Sequence, residues 1–243
     1  MIKPNLLVVW PLSCDYPLFR YNLKRFREFF QDIYIGFTNH HQEEDYSAFV
    51  RQDLDFAHCV DIEFTSGGDW RDDAISQLLD VMTPCEHVLF IEQDFLIKDE
   101  TFFERLFAQD HDFLYYNEGN NRVHPAFALI KRDIIEKTHR NFGAVPPKDH
   151  FGWFFDEVFQ QTPGENIESF VKEKEDFYHM AGLTQNYKCV KYGDCLFRPK
   201  TFFYFNYKST LLPNLGPFKE VMIPINANER PETHDFLDNF FPC

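Results

Sequence analysis

The stretch Val88-Leu89-Phe90-Ile91-Glu92-Gln93-Asp94-Phe95 decides the fold. Four apolar residues end abruptly in two acids with one polar residue between them. A continuous apolar run is what a central strand of a parallel sheet needs, because helices cover both of its faces. In open α/β sheets, ligands bind beyond the carboxyl ends of such strands. Carboxylates two residues apart offer oxygen ligands to a hard divalent cation, which keeps its other positions for waters and phosphate oxygens. Glu92 and Asp94 therefore point to a metal–diphosphate site. The plain alternative is a strand end with solvated acids.

The same grammar runs outward in both directions. Residues 6–12 read as a first buried strand. Residues 17–30 read as a helix with Phe19, Leu23, Phe26 and Phe30 on one face. Strands are expected over 32–38 and 59–65. Gly67-Gly68 then breaks the chain, and Asp69 caps a helix to Met82 whose stripe is Ala74, Ile75, Leu78, Leu79 and Met82. The decisive strand is read as 88–95. A helix follows from Asp99 to about residue 108, then strands over 112–116 and 125–130 and helices over 132–140 and 151–161. This alternation predicts an α/β fold with a mostly parallel sheet flanked by helices. Beyond Gly164 the pattern loosens into short aromatic segments, such as 201–205, set between Pro and Asn turns: a smaller, irregular C-terminal lobe. No Pro/Gly/Ser-rich linker interrupts the chain, so a single domain over 1–243 is expected.

Bulk composition narrows the function. Hydrophobic residues make up 44% of the chain and include 30 Phe, enough for a large aromatic core. The formal net charge of −15 argues against a broad, sequence-independent nucleic-acid surface. It leaves room for a local basic cleft; Arg20, Lys24, Arg25 and Arg27 crowd one helix, a run that ordinarily faces solvent. The opening Met1-Ile2-Lys3-Pro4 lacks a signal-peptide core. No apolar run approaches the roughly 20 residues of a membrane span. The six cysteines form no CxxC pair, so reduced thiols and a cytoplasmic location are expected.

Two familiar phosphate loops are missing: no GxGxxG follows the first strand and no GxxxxGK[ST] occurs. What the chain does contain, in order, is an apolar strand with a Pro11-Leu12 loop and a helix, then Gly67-Gly68-Asp69-Trp70-Arg71-Asp72-Asp73 opening another helix. Phe90-Ile91-Glu92-Gln93-Asp94 and an aromatic-flanked Phe155-Asp156-Glu157 come after. This layout resembles the GT-A (Rossmann-like) nucleotide-sugar glycosyltransferases over about residues 6–187. The family's acidic triplet is usually Asp-x-Asp, and here its first acid is Glu.

The resemblance implies a donor-binding half over 1–115 and an acceptor half with the C-terminal lobe over 116–243. It implies a nucleotide-sugar donor, with UDP suggested by the family and by no residue, and Mn2+ or Mg2+ as cofactor. Asp94 would ligate the metal, with Glu92 at the metal or the donor ribose, Gln93 beside it, and His179 completing the metal site. Pro11, Leu12 and Asp15 would face the nucleotide. Arg71, in the first turn of its helix where anions are favoured, would meet a donor phosphate; a surface pairing with Asp72 or Asp73 is the plain alternative. Asp156, with Glu157 behind it, would be the base for the acceptor hydroxyl in an inverting reaction. Trp153 would stack on an acceptor ring, and the loop beginning at Asn117 would lie beside the donor sugar. Two other classes fit less well. A nucleotidyltransferase shares the layout but needs a Gly-rich basic loop after the first strand, which Leu12-Ser13-Cys14-Asp15 lacks. A non-catalytic binding protein would carry the triplet inert. The acceptor is open: a glycan precursor, a small molecule or a modified DNA base.

Overall fold

The computed structural model describes residues 1–10, 22–38, 51–64, 70–92, 95–117, 123–143, 151–173, 175–179, 190–192 and 195–197. Its centre is a seven-stranded sheet of order β3-β2-β1-β4-β7-β6-β8. The strands are β1 (Asn5–Trp10), β2 (Ile33–Phe37), β3 (His58–Asp61), β4 (His87–Ile91), β6 (Phe113–Asn117), β7 (Val123–Lys131) and β8 (Glu165–Asn166). β1 pairs in parallel with β2 and β4, and β2 with β3. β7 runs antiparallel to both its neighbours, β4 and β6. The sheet is thus mixed but mostly parallel, the α/β class with flanking helices that the sequence predicts.

Period-two alternation splits each apolar strand between two cores. Leu6 and Val8, Ile33 and Ile35, and Leu89 face one side, with Leu23, Phe26 and Phe30 packed there. Leu7, Tyr34, Val88 and Phe90 face the other. This is why the strands read as unbroken apolar runs.

The second core is closed by α1 (Trp70–Val81), α3 (Arg132–Glu136) and α4 (Gly152–Gln161), and the first by the short α2 (Phe102–Leu106). The stripe predicted for α1 is buried throughout, from Ala74 to Met82. Gly36 of β2 lets α1 approach: a Cβ there would lie 3.0 Å from Leu78 Cδ1. Helical residues 22–26 and the 3-10 turn Arg27–Phe29 cover the other face.

Three boundaries differ from the expectation. The decisive strand ends at Ile91, and Phe95 instead begins β5 (Phe95–Ile97), which pairs antiparallel with β9 (Phe177–His179) in a separate small sheet. The helix expected over 132–140 stops at Glu136, and Arg140 takes a left-handed φ of 53°. β3 is shorter than its apolar run and its pattern is half-exposed, as suits the end of the sheet order. A two-stranded ribbon pairs β10 (Val190–Tyr192) with β11 (Cys195–Phe197). The strand expected at 201–205, and with it most of the C-terminal lobe, lies outside the described residues.

Candidate active site

The sheet order itself marks a binding crevice. From β1 the chain steps outward to β2 and β3, and α1 then carries it back to β4 on the opposite side of β1. The carboxyl ends of β1 and β4 therefore flank the point where the winding reverses, where open α/β sheets bind ligands. Ile91 ends β4 there, and Glu92 follows it.

Glu92 is fixed at this mouth. Its backbone N–H donates to Ala126 O at 3.1 Å, and its carbonyl accepts from Phe95 N at 3.1 Å. Its carboxylate lies 3.1 Å from the Arg71 guanidinium, both side chains being about one-fifth to one-quarter exposed. Arg71 is the second residue of α1, so the peptide dipoles of that helix add positive potential beside it. Arg71 is thus paired with the acid that follows β4. Asp72 is otherwise engaged: it accepts from Phe142 N at 2.8 Å.

β5 and β9 bring a second part of the chain to the mouth. Their register sets Phe95 directly opposite His179. The residue following Asp94 and the histidine expected to complete the metal site are thus cross-strand partners, at the roughly 5 Å Cα spacing of antiparallel pairs. Asp94, Gln93, Pro11, Leu12 and Asp15 themselves lie outside the described residues, as do the loop residues 118–122. The backbone of β5 is held from the helical segment beside it. Asn22 Nδ2 donates to Phe95 O at 2.8 Å, and Arg25 donates to Ile97 O and Lys98 O. Part of the basic run read as a solvated face is therefore structural.

On the far side of the mouth, Asn117 ends β6 opposite Val123, the first residue of β7, and His124 is the second; a register shift follows Tyr115. Bulges are frequent beside functional sites. His124 Nδ1 accepts from Ala126 N at 3.1 Å, so Nε2 carries its proton when the ring is neutral. Sequence reasoning missed this histidine, whose only signal is a single His-Pro step.

The acid pair stands on α4. Phe154, Phe155 and Val158 of that helix are buried, whereas Asp156 and Glu157 lie on its polar side, beyond the first turn. Glu157 is committed to His139, accepting from its backbone N at 2.7 Å and lying 3.0 Å from its Nδ1. Trp153, Asp156 and Glu157 line an open cleft of about 590 Å3, walled opposite by Lys137 and His139.

A further cluster has metal-ligand spacing: Glu86, His87 and Asp110 offer atoms within 4.8 Å of one another. It sits at the amino end of β4, opposite the mouth. Asp110 is moreover occupied by Lys131 at 2.8 Å, an ammonium where a divalent cation would have to sit. Cys59 and Cys85 are free. Burial pushes the Cys59 thiol up to about 11 against the pull of Arg51, so it is a poor nucleophile at neutral pH. No helix among the described residues is long and apolar enough to cross a membrane.

No protein-family model and no characterised protein sequence matches the chain. Solved structures do resemble it. One is glucosyl-3-phosphoglycerate synthase from Mycobacterium tuberculosis in complex with Mn2+, UDP and phosphoglyceric acid. It is 10% identical over 68% of this chain and 69% of that one, with a TM-score of 0.46. A second is the catalytic domain of Drosophila beta1,4-galactosyltransferase 7 in complex with xylobiose, at 13% identity, 79% and 77% coverage and a TM-score of 0.47. A third is 4-diphosphocytidyl-2C-methyl-D-erythritol synthase from Anaerococcus prevotii, at 11% identity, 70% and 90% coverage and a TM-score of 0.44.

Proposed function

We propose that the protein is a glycosyltransferase that moves a sugar from a nucleotide-diphosphate donor to an acceptor hydroxyl, in the cytoplasm. The observation that carries this reading is the Arg71–Glu92 pair at 3.1 Å at the crevice between β1 and β4. A guanidinium at a helix N-terminus suits a diphosphate, and the acids after β4 would suit a divalent cation that offsets its charge.

In this reading Arg71 holds a donor phosphate and Pro11, Leu12 and Asp15 face the nucleotide base. Asp94 and His179, with Glu92 at the metal or the donor ribose, form the metal site, and Gln93 stands beside them. The cross-strand register of Phe95 and His179 fits that ligand set. A divalent ion bound there, Mn2+ or Mg2+, would neutralise charge on the leaving diphosphate. Asn117 stands beside the donor sugar. Asp156 accepts the acceptor hydroxyl proton on a carboxylate oxygen as the new glycosidic bond forms and the bond to the diphosphate breaks. Glu157, already held by His139, is the lesser candidate for that proton.

Thermal melting with a panel of nucleoside diphosphates, with and without Mn2+, tests the donor site. One nucleotide should raise the melting temperature in a Mn2+-dependent way. At a ligand concentration a hundredfold above Kd, the stabilisation is about 2.7 kcal/mol. Asp94→Asn should abolish the metal dependence, and Arg71→Gln should weaken nucleotide binding. Stabilisation by triphosphates alone would redirect the reading to nucleotidyl transfer. No response to any nucleotide would sink it.

A further inference from the structure

Asp176, the residue before β9, is fastened to the chain just after β5 through both its backbone and its side chain. Its carbonyl accepts from Lys98 N at 2.8 Å and from Asp99 N at 3.0 Å. One carboxylate oxygen lies 2.9 Å from Arg105 Nη2, and the other accepts from Lys172 N at 2.7 Å. The same Nη2 reaches Asp99, whose two oxygens are also held by Thr101 N and Oγ1. Arg105 belongs to α2, so one guanidinium joins α2, the end of β5 and the start of β9. We infer that Arg105 is a positioning residue for the metal site. Its clasp with Asp99 and Asp176 fixes β9 against β5 and so sets the place of His179 at the crevice. The inference rests on the transferase reading above, in which His179 is a metal ligand.

The β5–β9 ladder is too short to fix itself. It pairs Phe95 with His179, Leu96 with Tyr178 and Ile97 with Phe177. A small two-stranded ribbon is marginal on its own in water. A slip of one residue would turn every side chain of β9 to the opposite face. Packing anchors one residue of the strand. The Phe177 ring stacks on Phe95 at 4.8 Å and meets Phe102 of α2 edge-on at 5.8 Å. Ring contacts resist withdrawal from the core but tolerate sliding across a ring face. The hydrogen bonds and ion pairs at Asp176 are directional, and they set the register.

Charge gives Arg105 its weight in the clasp. Asp99 and Asp176 lie on facing segments and touch the same nitrogen, so their carboxylates stand close together. The Asp176 side chain is 16% exposed and that of Asp99 29%, so water screens them only in part. With Arg105 present the two acids share a cation; without it they repel across the joint. Arg105 Nη1 also donates to Phe170 O at 3.4 Å, which ties in the turn preceding β9. A lysine would supply the charge but not the planar fork that meets several oxygens at once. His179 is three residues beyond Asp176, roughly 10 Å of extended chain. Arg105 therefore acts through the strand and touches neither metal nor substrate.

The full chain would be titrated with Mn2+, alone and with the nucleoside diphosphate that stabilises it, and the free ion followed by its electron paramagnetic resonance signal. Arg105→Ala is expected to raise the Mn2+ Kd about tenfold or more, as loss of a ligand-orienting partner does in metal sites. Nucleotide binding without metal should stay unchanged. Arg105→Lys should lose less, and it carries the test if Arg105→Ala does not fold. Arg132→Ala controls for a general loss of stability, since Arg132 bonds Leu79 O and Glu136 at the other end of the sheet. It should leave the Mn2+ Kd as in wild type. Added to His179→Ala, Arg105→Ala should weaken Mn2+ binding no further, because it acts through that histidine. An unchanged Kd in folded Arg105 variants, an equal rise in Arg132→Ala, or a further loss on top of His179→Ala overturns the positioning role. If wild type binds nucleotide with Mn2+ and the Arg105 variants match it, the clasp alone fails. If wild type binds neither, the transferase reading fails and the inference falls with it.

Discussion

Asp156 and Glu157 are adjacent in sequence and share the polar side of α4. Both oxygens of Glu157 are engaged by His139, through a backbone N–H and a ring nitrogen. A carboxylate so occupied is a poor recipient for a substrate proton. Asp156→Asn is therefore expected to lower turnover by about 10²–10⁴-fold, the usual worth of a general base, with nucleotide binding unchanged. Glu157→Gln should cost much less and act through positioning of the Lys137–His139 wall. Initial rates of nucleoside-diphosphate release check this, and a larger loss in Glu157→Gln would exchange the two roles. At this scale the sequence shows residue types but not their partners. Arg71 and Glu92 were each legible as donor-site candidates, one from its place in a first helical turn and the other from its place after an apolar run. Their pairing depends on α1 packing across β2 and β1 so that its first turn meets the residue after β4, a tertiary fact that no local spacing encodes. His124 reaches the mouth only because β7 runs antiparallel, and strand direction leaves no mark on an apolar pattern.

The elements themselves were mostly legible, because helices cover both sheet faces and the strands must be apolar throughout. Where the reading slipped, the physical reason is visible. The apolar pattern resumes at Phe95 after the acids, so β4 and β5 read as one strand, although they belong to different sheets. The helix expected over 132–140 ends early, and Arg140 leaves the helical region of backbone space. Packing between elements gives a direct test at Gly164, just before β8. A Cβ there would lie 2.6 Å from Phe113 Cδ1 and 2.8 Å from Tyr115 Cδ1, both on β6. Neither ring can yield easily, since Phe113 also stacks on Phe155 of α4. Gly164→Ala should therefore destabilise the fold by about 1–3 kcal/mol, the cost of overpacking. Urea denaturation should show a lower midpoint at unchanged slope. An unchanged midpoint would mean that β8 moves away from β6 at no cost.

Across the whole molecule, charge decides which acceptors are accessible. The chain carries 39 acids against 24 Lys and Arg. Many of the described basic side chains are spent on carboxylates: Lys24 on Asp53, Arg51 on Asp61, Lys131 on Asp110 and Asp112, Arg132 on Glu136, and Arg140 on Asp80. Surface pairs of this kind add little stability, but they leave fewer unshared cations on the described part of the surface. Binding to a nucleic-acid backbone depends on a track of such cations, because neutralising phosphates releases condensed counterions. The protein is therefore expected not to be retained by duplex DNA even at low ionic strength, where electrostatic attraction is least screened. Fluorescence anisotropy with a labelled duplex, titrated at low and then raised salt, measures this. A log Kd that rises linearly with log salt would reveal phosphate contacts, with a slope of about +0.9 per contact. That result would make a modified DNA base the acceptor to pursue. Its absence would leave a glycan precursor or a small molecule as the acceptor to pursue.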